Sequence, residues 1–175
     1  MSHLASRKQP HGLTRRPLLG TKRGMTTHSA TIRWARGDAA FEKSQYSREH
    51  EWHFDGGTVV TASASPHRVP LPLSTEAAVD PEEAFVAALS SCHMLWFLAL
   101  ASKQGVVVDS YTDQASGLLE ADAKGAWSMT QVVLRPKLNC ATQPAKALLE
   151  SLHHQAHESC FLARSVTAVI RIETE

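Results

Sequence analysis

The sequence reads as an α+β protein, and three observations carry that reading. A long, well-capped apolar helix begins at Asp80-Pro81. Short alternating runs flank a turn at Asp55-Gly56-Gly57. The order along the chain is strands, long helix, strands, helix, strand, not a regular strand–helix repeat. With 175 residues, 43% of them hydrophobic, the chain can bury one core.

The elements follow in order. Trp34 and its neighbours suit a first strand. Residues 48–54 (REHEWHF) alternate in part, with Trp52 and Phe54 on one face, and residues 58–62 (TVVTA) follow the Asp-Gly-Gly turn, which predicts a β-hairpin. Three prolines make residues 65–72 an extended loop. Asp80 is a good N-cap, Pro81 takes the first helical position, and Glu82 and Glu83 put negative charge in the first turn, with Glu83 placed to complete a capping box. Phe85, Leu89, Cys92, Trp96 and Leu100 belong to a helix that is apolar on most sides, so it is expected to be central and covered nearly all round. Gln104-Gly105 should end it. Residues 106–112 and 129–135 read as strands, the second stopping at Pro136. Residues 144–161 read as a second helix from the spacing of Leu148, Leu149, Leu152 and Ala156, and residues 165–173 as a closing strand. There is no internal repeat.

The net charge of +1 hides an asymmetry. Residues 1–28 carry six basic side chains and no acid, which leaves twelve basic and seventeen acidic residues, a net of −5, for the rest. A mildly acidic folded part argues against nucleic acid as a partner. The basic head lacks core periodicity and the apolar stretch of a secretory signal, so residues 1–28 are expected to be a disordered extension, or to precede a true start at Met25, and residues 29–175 a single domain. An Arg-rich, acid-free leader also resembles an organelle transit peptide. The longest unbroken apolar stretch, residues 94–101, is less than half the ~18 residues a membrane span needs, so none is expected. Cys92, Cys140 and Cys160 are an odd, low count without a secretory signal. That points to a reducing compartment, and the cytoplasm is the expected location.

Cys92 sits in the middle of the most apolar helix, and Cys160 lies at the end of the second, 68 residues on. Each can be a small buried hydrophobe. If helix packing brings them together, one thiolate can attack an O–O bond to give a sulfenic acid and the other can condense with it to a disulfide. Burial raises a thiol pKa, so a reactive Cys92 needs a positive neighbour. An arginine suits best because it stays charged and presents a fork of donors; Arg48, Arg68 and Arg164 are the candidates, and a buried arginine would need a carboxylate such as Glu82 or Glu83. Ten residues separate Glu82 from Cys92, about 15 Å of rise on one helix. Glu82 could serve the Cys92 site only from the partner chain of a homodimer.

His153 and His157, with Cys160 three residues further on, form a weak zinc-like pattern, equally readable as a solvated polar face. No CxxC motif is present for a thioredoxin-like site. A cysteine buried in mid-helix is badly placed to attack a bulky peptide.

The segment DPEEAFVAALSSCHM resembles the Asp/Asn-Pro-Glu signature of the OsmC/Ohr superfamily (osmotically inducible protein C and organic hydroperoxide resistance proteins), in which a catalytic cysteine follows ten residues after the glutamate. HESCFLARSV resembles the segment holding the second cysteine, and YSREHEWHFDGG and SPHRVPLP resemble N-terminal strands of an OsmC-like branch. The resemblance covers residues 46–172. It implies a thiol-dependent peroxidase that reduces organic hydroperoxides and, less efficiently, hydrogen peroxide, with Cys92 as peroxidatic and Cys160 as resolving thiol. It further implies Glu82 as the glutamate that holds a catalytic arginine, and Arg48 as that arginine with Arg68 in reserve. No metal and no organic cofactor is implied. The implied fold has two layers, curved antiparallel sheets and two central helices, in an intertwined homodimer. The implied reductant is a dithiol of lipoyl or thioredoxin type. CFLARS lacks the proline that follows the cysteine in the organic-hydroperoxide branch, which leans toward the broader OsmC-like branch, and Cys140 matches no motif. The rival readings are a non-catalytic homodimeric binding or structural protein with inert buried thiols, and a zinc-binding protein.

Overall fold

The computed structural model describes residues 24–174. Most of the basic head lies outside the described residues, and with it the expectation for its state. Eight strands and two α-helices follow: β1 (Ala30–Arg33), β2 (His50–Phe54), β3 (Val59–Ala62), α1 (Pro81–Lys103), β4 (Val108–Asp113), β5 (Ser116–Ala121), β6 (Trp127–Leu134), β7 (Pro136–Cys140), α2 (Lys146–Ser159) and β8 (Val169–Ile172). They form three groups, β1-β2-β3, β4-β7 and β5-β6-β8.

The hairpin forms where Asp55-Gly56-Gly57 places it, with β2 and β3 antiparallel and Gly57 at φ +86°, a conformation that glycine reaches without strain. β1 ends one residue before Trp34. The start of α1 carries both halves of the capping box: the Glu83 N–H donates to the Asp80 carboxylate at 2.7 Å, and the Asp80 N–H donates to the Glu83 carboxylate at 3.3 Å. Such a cap stabilises a helix by roughly 1 kcal/mol. Two backbone bonds tie the residue before the cap to β3, Val79 N–H to Thr61 and Ser63 N–H to Val79, so the N-terminal sheet anchors the helix start.

α1 then packs in two halves. Its first half lays Leu89 on Val132 and Leu134 of β6. Its second half closes Phe97 and Ala101 against Leu152 and Ala156 of α2, with Tyr111 and Leu138 of the β4–β7 pair beside them. Helices therefore form one layer and strands the other. Bulges at Val108/Ser110 and Leu118/Leu119 break the regular registers, which bends strands and increases their twist. Gly117 in β5 permits a close approach: a Cβ there would lie 2.7 Å from Val86 of α1 and 2.6 Å from Met129 of β6.

Several expectations need correction. β5 and β7 are strands that periodicity did not reveal, and Pro136, expected to stop a strand, opens β7. A proline at the first residue of a strand lacks only a donor the pairing does not need. β8 runs parallel to β6, in a structure otherwise built of antiparallel pairs, because α2 carries the chain back between them. Residues 163–165 form a 3₁₀ turn, so the last strand starts later than the run of residues 165–173 suggested. Within one chain α1 is not covered all round: Leu95 is 61% exposed, and Ala88 and Ala99 are exposed beside it. One chain supplies α2 and the strands to one side of the helix only. By length and composition α1 is also apolar enough to cross a membrane, contrary to the count of unbroken apolar residues, because its many Leu, Val, Phe and Ala residues hold the mean hydropathy at 1.8 over eighteen residues despite the interspersed serines.

Two histidines lie between the helices. His93 of α1 and His153 of α2 are 1% and 4% exposed and stack at 4°, with Nε2 of His93 3.1 Å from Nδ1 of His153. Phe97 lies 4.3 Å from the His153 ring. Nδ1 of His93 is buried without a partner among the described residues. One ring donates and the other accepts in this bond, according to the tautomers. Burial lowers both groups to about 4; for His93 the neighbouring His153 and His157 add to this and Asp113 opposes it. The folded pKa of each lies below the ordinary value, so the unfolded chain binds more protons between pH 6.5 and 4. Stability measured by urea unfolding should be level above pH 6.5 and fall by several kcal/mol as the pH drops to 4. Replacing both histidines by leucine should flatten that slope; an unchanged slope would remove the pair as its cause.

Candidate active site

The two helices bring Cys92 and Cys160 together. Cys92 lies on α1 between Leu89, which packs on β6, and Phe97, which packs on α2. Cys160 is the C-cap of α2, its N–H bonded back to Ala156 and His157, and the chain turns there into the 3₁₀ turn at Ala163–Ser165. The Cys160 thiol donates to Sγ of Cys92 across 2.8 Å. Both are free cysteines, 1% and 7% exposed. Burial pushes the Cys160 thiol up to about 11, and the hydrogen bond to Cys92 adds to it. The backbone N–H groups of Ala163 and Leu162 act the other way, the former 3.4 Å from the sulfur. In this contact Cys160 is the donor and Cys92 the acceptor.

The other expected site residues lie elsewhere in the chain. α1 is continuous from Pro81 to Lys103, so Glu82 stays on the same helix as Cys92, about 15 Å along its axis. Glu82 lines a groove of about 780 Å³ with Arg68, Glu83, Met94, Tyr111 and Met129. Arg68 also lies over the Trp127 ring at 4.2 Å. Arg48 is held apart, its guanidinium bonded to the carbonyl oxygens of Ser44, at 2.8 Å, and Tyr46, and 3.9 Å above the Tyr46 ring. It lines a second, mainly apolar hollow of about 450 Å³ with Ile32, Trp34, Phe41 and Pro81. Among the described residues, no hydrogen bond or ion pair joins Arg48, Arg68 or Arg164 to Glu82 or to either thiol. Of the two expected arginines, it is the reserve, Arg68, that shares a groove with Glu82.

The zinc-like pattern on α2 is taken apart by the packing: His153 turns to His93, and Cys160 turns to Cys92. No cluster of three or more His, Cys, Asp or Glu side chains placed to hold a metal occurs among the described residues. Cys140 is half-buried on β7, opposite Val108. Sequence reasoning missed Asp113. This carboxylate receives the Ser90 hydroxyl at 2.5 Å and the Arg135 N–H at 2.6 Å, binding α1 to the junction of β6 and β7. It also missed the His93–His153 stack. Neither leaves a local signal, because each joins residues at least twenty positions apart.

A family model described as OsmC-like protein matches residues 74–175, more than half of the chain. Among solved structures, the chain is similar to an OsmC-like protein of unknown function from Vibrio cholerae, with 55% identity and a TM-score of 0.83, covering 86% of this chain and 100% of that one. More distant matches include an organic hydroperoxide resistance protein from Elizabethkingia anophelis (14% identity, TM-score 0.65, 87% and 96% of the two chains). Another is the organic hydroperoxide resistance protein OhrB of Bacillus subtilis (17% identity, TM-score 0.63, 86% and 98%). At such identities these two establish the shared fold. No curated protein matches the chain.

Proposed function

The chain belongs to the OsmC-like protein family, and from that premise we propose that it is a thiol-dependent peroxidase reducing organic hydroperoxides and hydrogen peroxide. Cys92 is the attacking sulfur and Cys160 the resolving one. The observation that carries this reading is the buried contact in which the Cys160 thiol donates to Cys92 at 2.8 Å. The Cys92 thiolate attacks the terminal oxygen of the hydroperoxide, the O–O bond breaks, and the alcohol leaves once protonated. The sulfenic acid on Cys92 then condenses with the Cys160 thiol, forming the S–S bond and releasing water. A thiol reductant, expected to be a dithiol, returns both cysteines to thiols.

A buried thiolate needs a positive charge close by. We place that charge, together with Glu82, across the seam of a homodimer. The exposed apolar residues support this: Leu95 on α1 and Ile32, Trp34 and Phe41 near β1 are 42–61% exposed in the single chain, and a second copy would cover them. Three free cysteines suit a reducing compartment, and we take the cytoplasm as the location.

Treating the reduced protein with cumene hydroperoxide should remove two thiols per chain and yield a Cys92–Cys160 disulfide by peptide mass. Cys92→Ser should abolish turnover, and Cys160→Ser should accumulate a sulfenic acid. If thiol count and rate ignore the peroxide, the rival reading gains, a binding protein whose thiols are inert fillers. The arginine is decided by comparison. Arg68→Ala, whose side chain shares a groove with Glu82, should slow peroxide reduction at least tenfold, about 1.4 kcal/mol. The same loss in Arg48→Ala alone would return the role to Arg48. Light scattering should give twice the mass of one chain, and Leu95→Asp should halve it; a monomeric wild-type protein would remove the seam.

A further inference from the structure

The two sulfurs are unlike in their surroundings, and this bears on the step that regenerates the thiols. Cys160 is nearly sealed, at 1% exposure, and its Sγ receives a backbone N–H from Ala163 at 3.4 Å. Cys92 is 7% exposed, and the only hydrogen bond to its sulfur among the described residues is the one from Cys160. Thiol–disulfide exchange is governed by which sulfur can be reached and which departing thiolate is better stabilised. Reach selects Cys92, and the fixed donor beside Cys160 favours the same direction, against the burial that disfavours its thiolate. A departing Cys160 thiolate keeps the Ala163 N–H. A departing Cys92 thiolate would lose its one donor, because Cys160 would then be tied up in the new bond.

Resting on the peroxidase reading above, we propose that the reducing thiol attacks Cys92, and that the Ala163 N–H at the start of the 3₁₀ turn receives the departing Cys160 sulfur. The incoming thiolate forms a bond to Sγ of Cys92 as the Cys92–Cys160 bond breaks. The electron pair goes to Cys160, which then takes a proton from solvent or from the reductant's second thiol. That second thiolate attacks the reductant's own sulfur in the mixed disulfide and releases Cys92. The protein disulfide gains two electrons, and the dithiol leaves as a disulfide. Burial of Cys160, which disfavours its thiolate, acts after departure to return it to the thiol. The cycle thus re-forms the starting contact, in which Cys160 donates to Cys92.

The test does not need peroxide. In a Cys140→Ser background, diamide joins Cys92 to Cys160, glutathione is added, and the reaction is quenched with acid and N-ethylmaleimide within its first turnover. Peptide mapping should find glutathione on Cys92 and maleimide on Cys160; the reverse placement overturns the proposal. A second measurement guards against unequal lifetimes of the adducts. Thionitrobenzoate is attached to Cys92 in Cys160→Ser and to Cys160 in Cys92→Ser, and its release by glutathione is followed by absorbance. Release from Cys92 should be at least tenfold faster, and equal or reversed rates overturn the proposal. Failure of peroxide to oxidise a protein that diamide oxidises would sink the peroxidase reading and leave this direction standing or falling on its own data. Failure of diamide to join the sulfurs would sink both.

Discussion

The crossing of α1 over α2 sets the distance between the two sulfurs. Phe97 and Ala101 on one helix, and Leu152 and Ala156 on the other, are buried almost completely where the helices meet. Small alanines on both sides let the backbones come close, while Phe97 and Leu152 supply most of the apolar area. Cys92 lies just N-terminal to this contact and Cys160 just C-terminal to its partner half, so the sulfurs inherit their separation from the packing around them. A cavity at Leu152 or Phe97 would act on the thiols at a distance, by letting one helix slide on the other.

Much of this arrangement is legible in the sequence where a signal is local. Asp80, Pro81 and Glu83 state the start of α1, and the structure places both bonds of the capping box there. Asp55-Gly56-Gly57 states a hairpin, and β2 and β3 flank it. The spacing of Leu152 and Ala156 states the inward face of α2. What could not be read is non-local or unpatterned. β5 carries Gly117 and the pair Leu118-Leu119 instead of an alternation, and β7 begins at a proline usually taken as an end. β6 lies in a run that does read as a strand, but its burial of Val132, Val133 and Leu134 in succession, with cover on both faces, is a tertiary outcome. The burial of α1 was overestimated for the opposite reason: an apolar helix announces that something covers it, not whether the cover belongs to the same chain.

The candidate site shows the same division. That Cys92 and Cys160 belong together followed from their two segments and a family likeness, and their contact is present. The positions of Arg48 and Arg68 could not follow, since both lie in irregular segments whose paths depend on tertiary contacts. Arg48 is fixed by the carbonyls of Ser44 and Tyr46, beside the aromatic group of Trp34, Phe41 and Tyr46. Arg68 lies over Trp127, at the start of a strand fifty-nine residues away.

Cys160 ends its helix rather than lying within it, and this has a mechanical consequence. A mid-helix residue is clamped by bonds on both sides, whereas a terminal one is followed by a segment that can adjust its dihedrals. A disulfide needs its sulfurs at about 2.05 Å. From 2.8 Å the required travel is under 1 Å, and the 3₁₀ turn after Cys160 can absorb it without unwinding α2. Were the two sulfurs to join, the adjustment would fall on this one turn and leave α1 as it is.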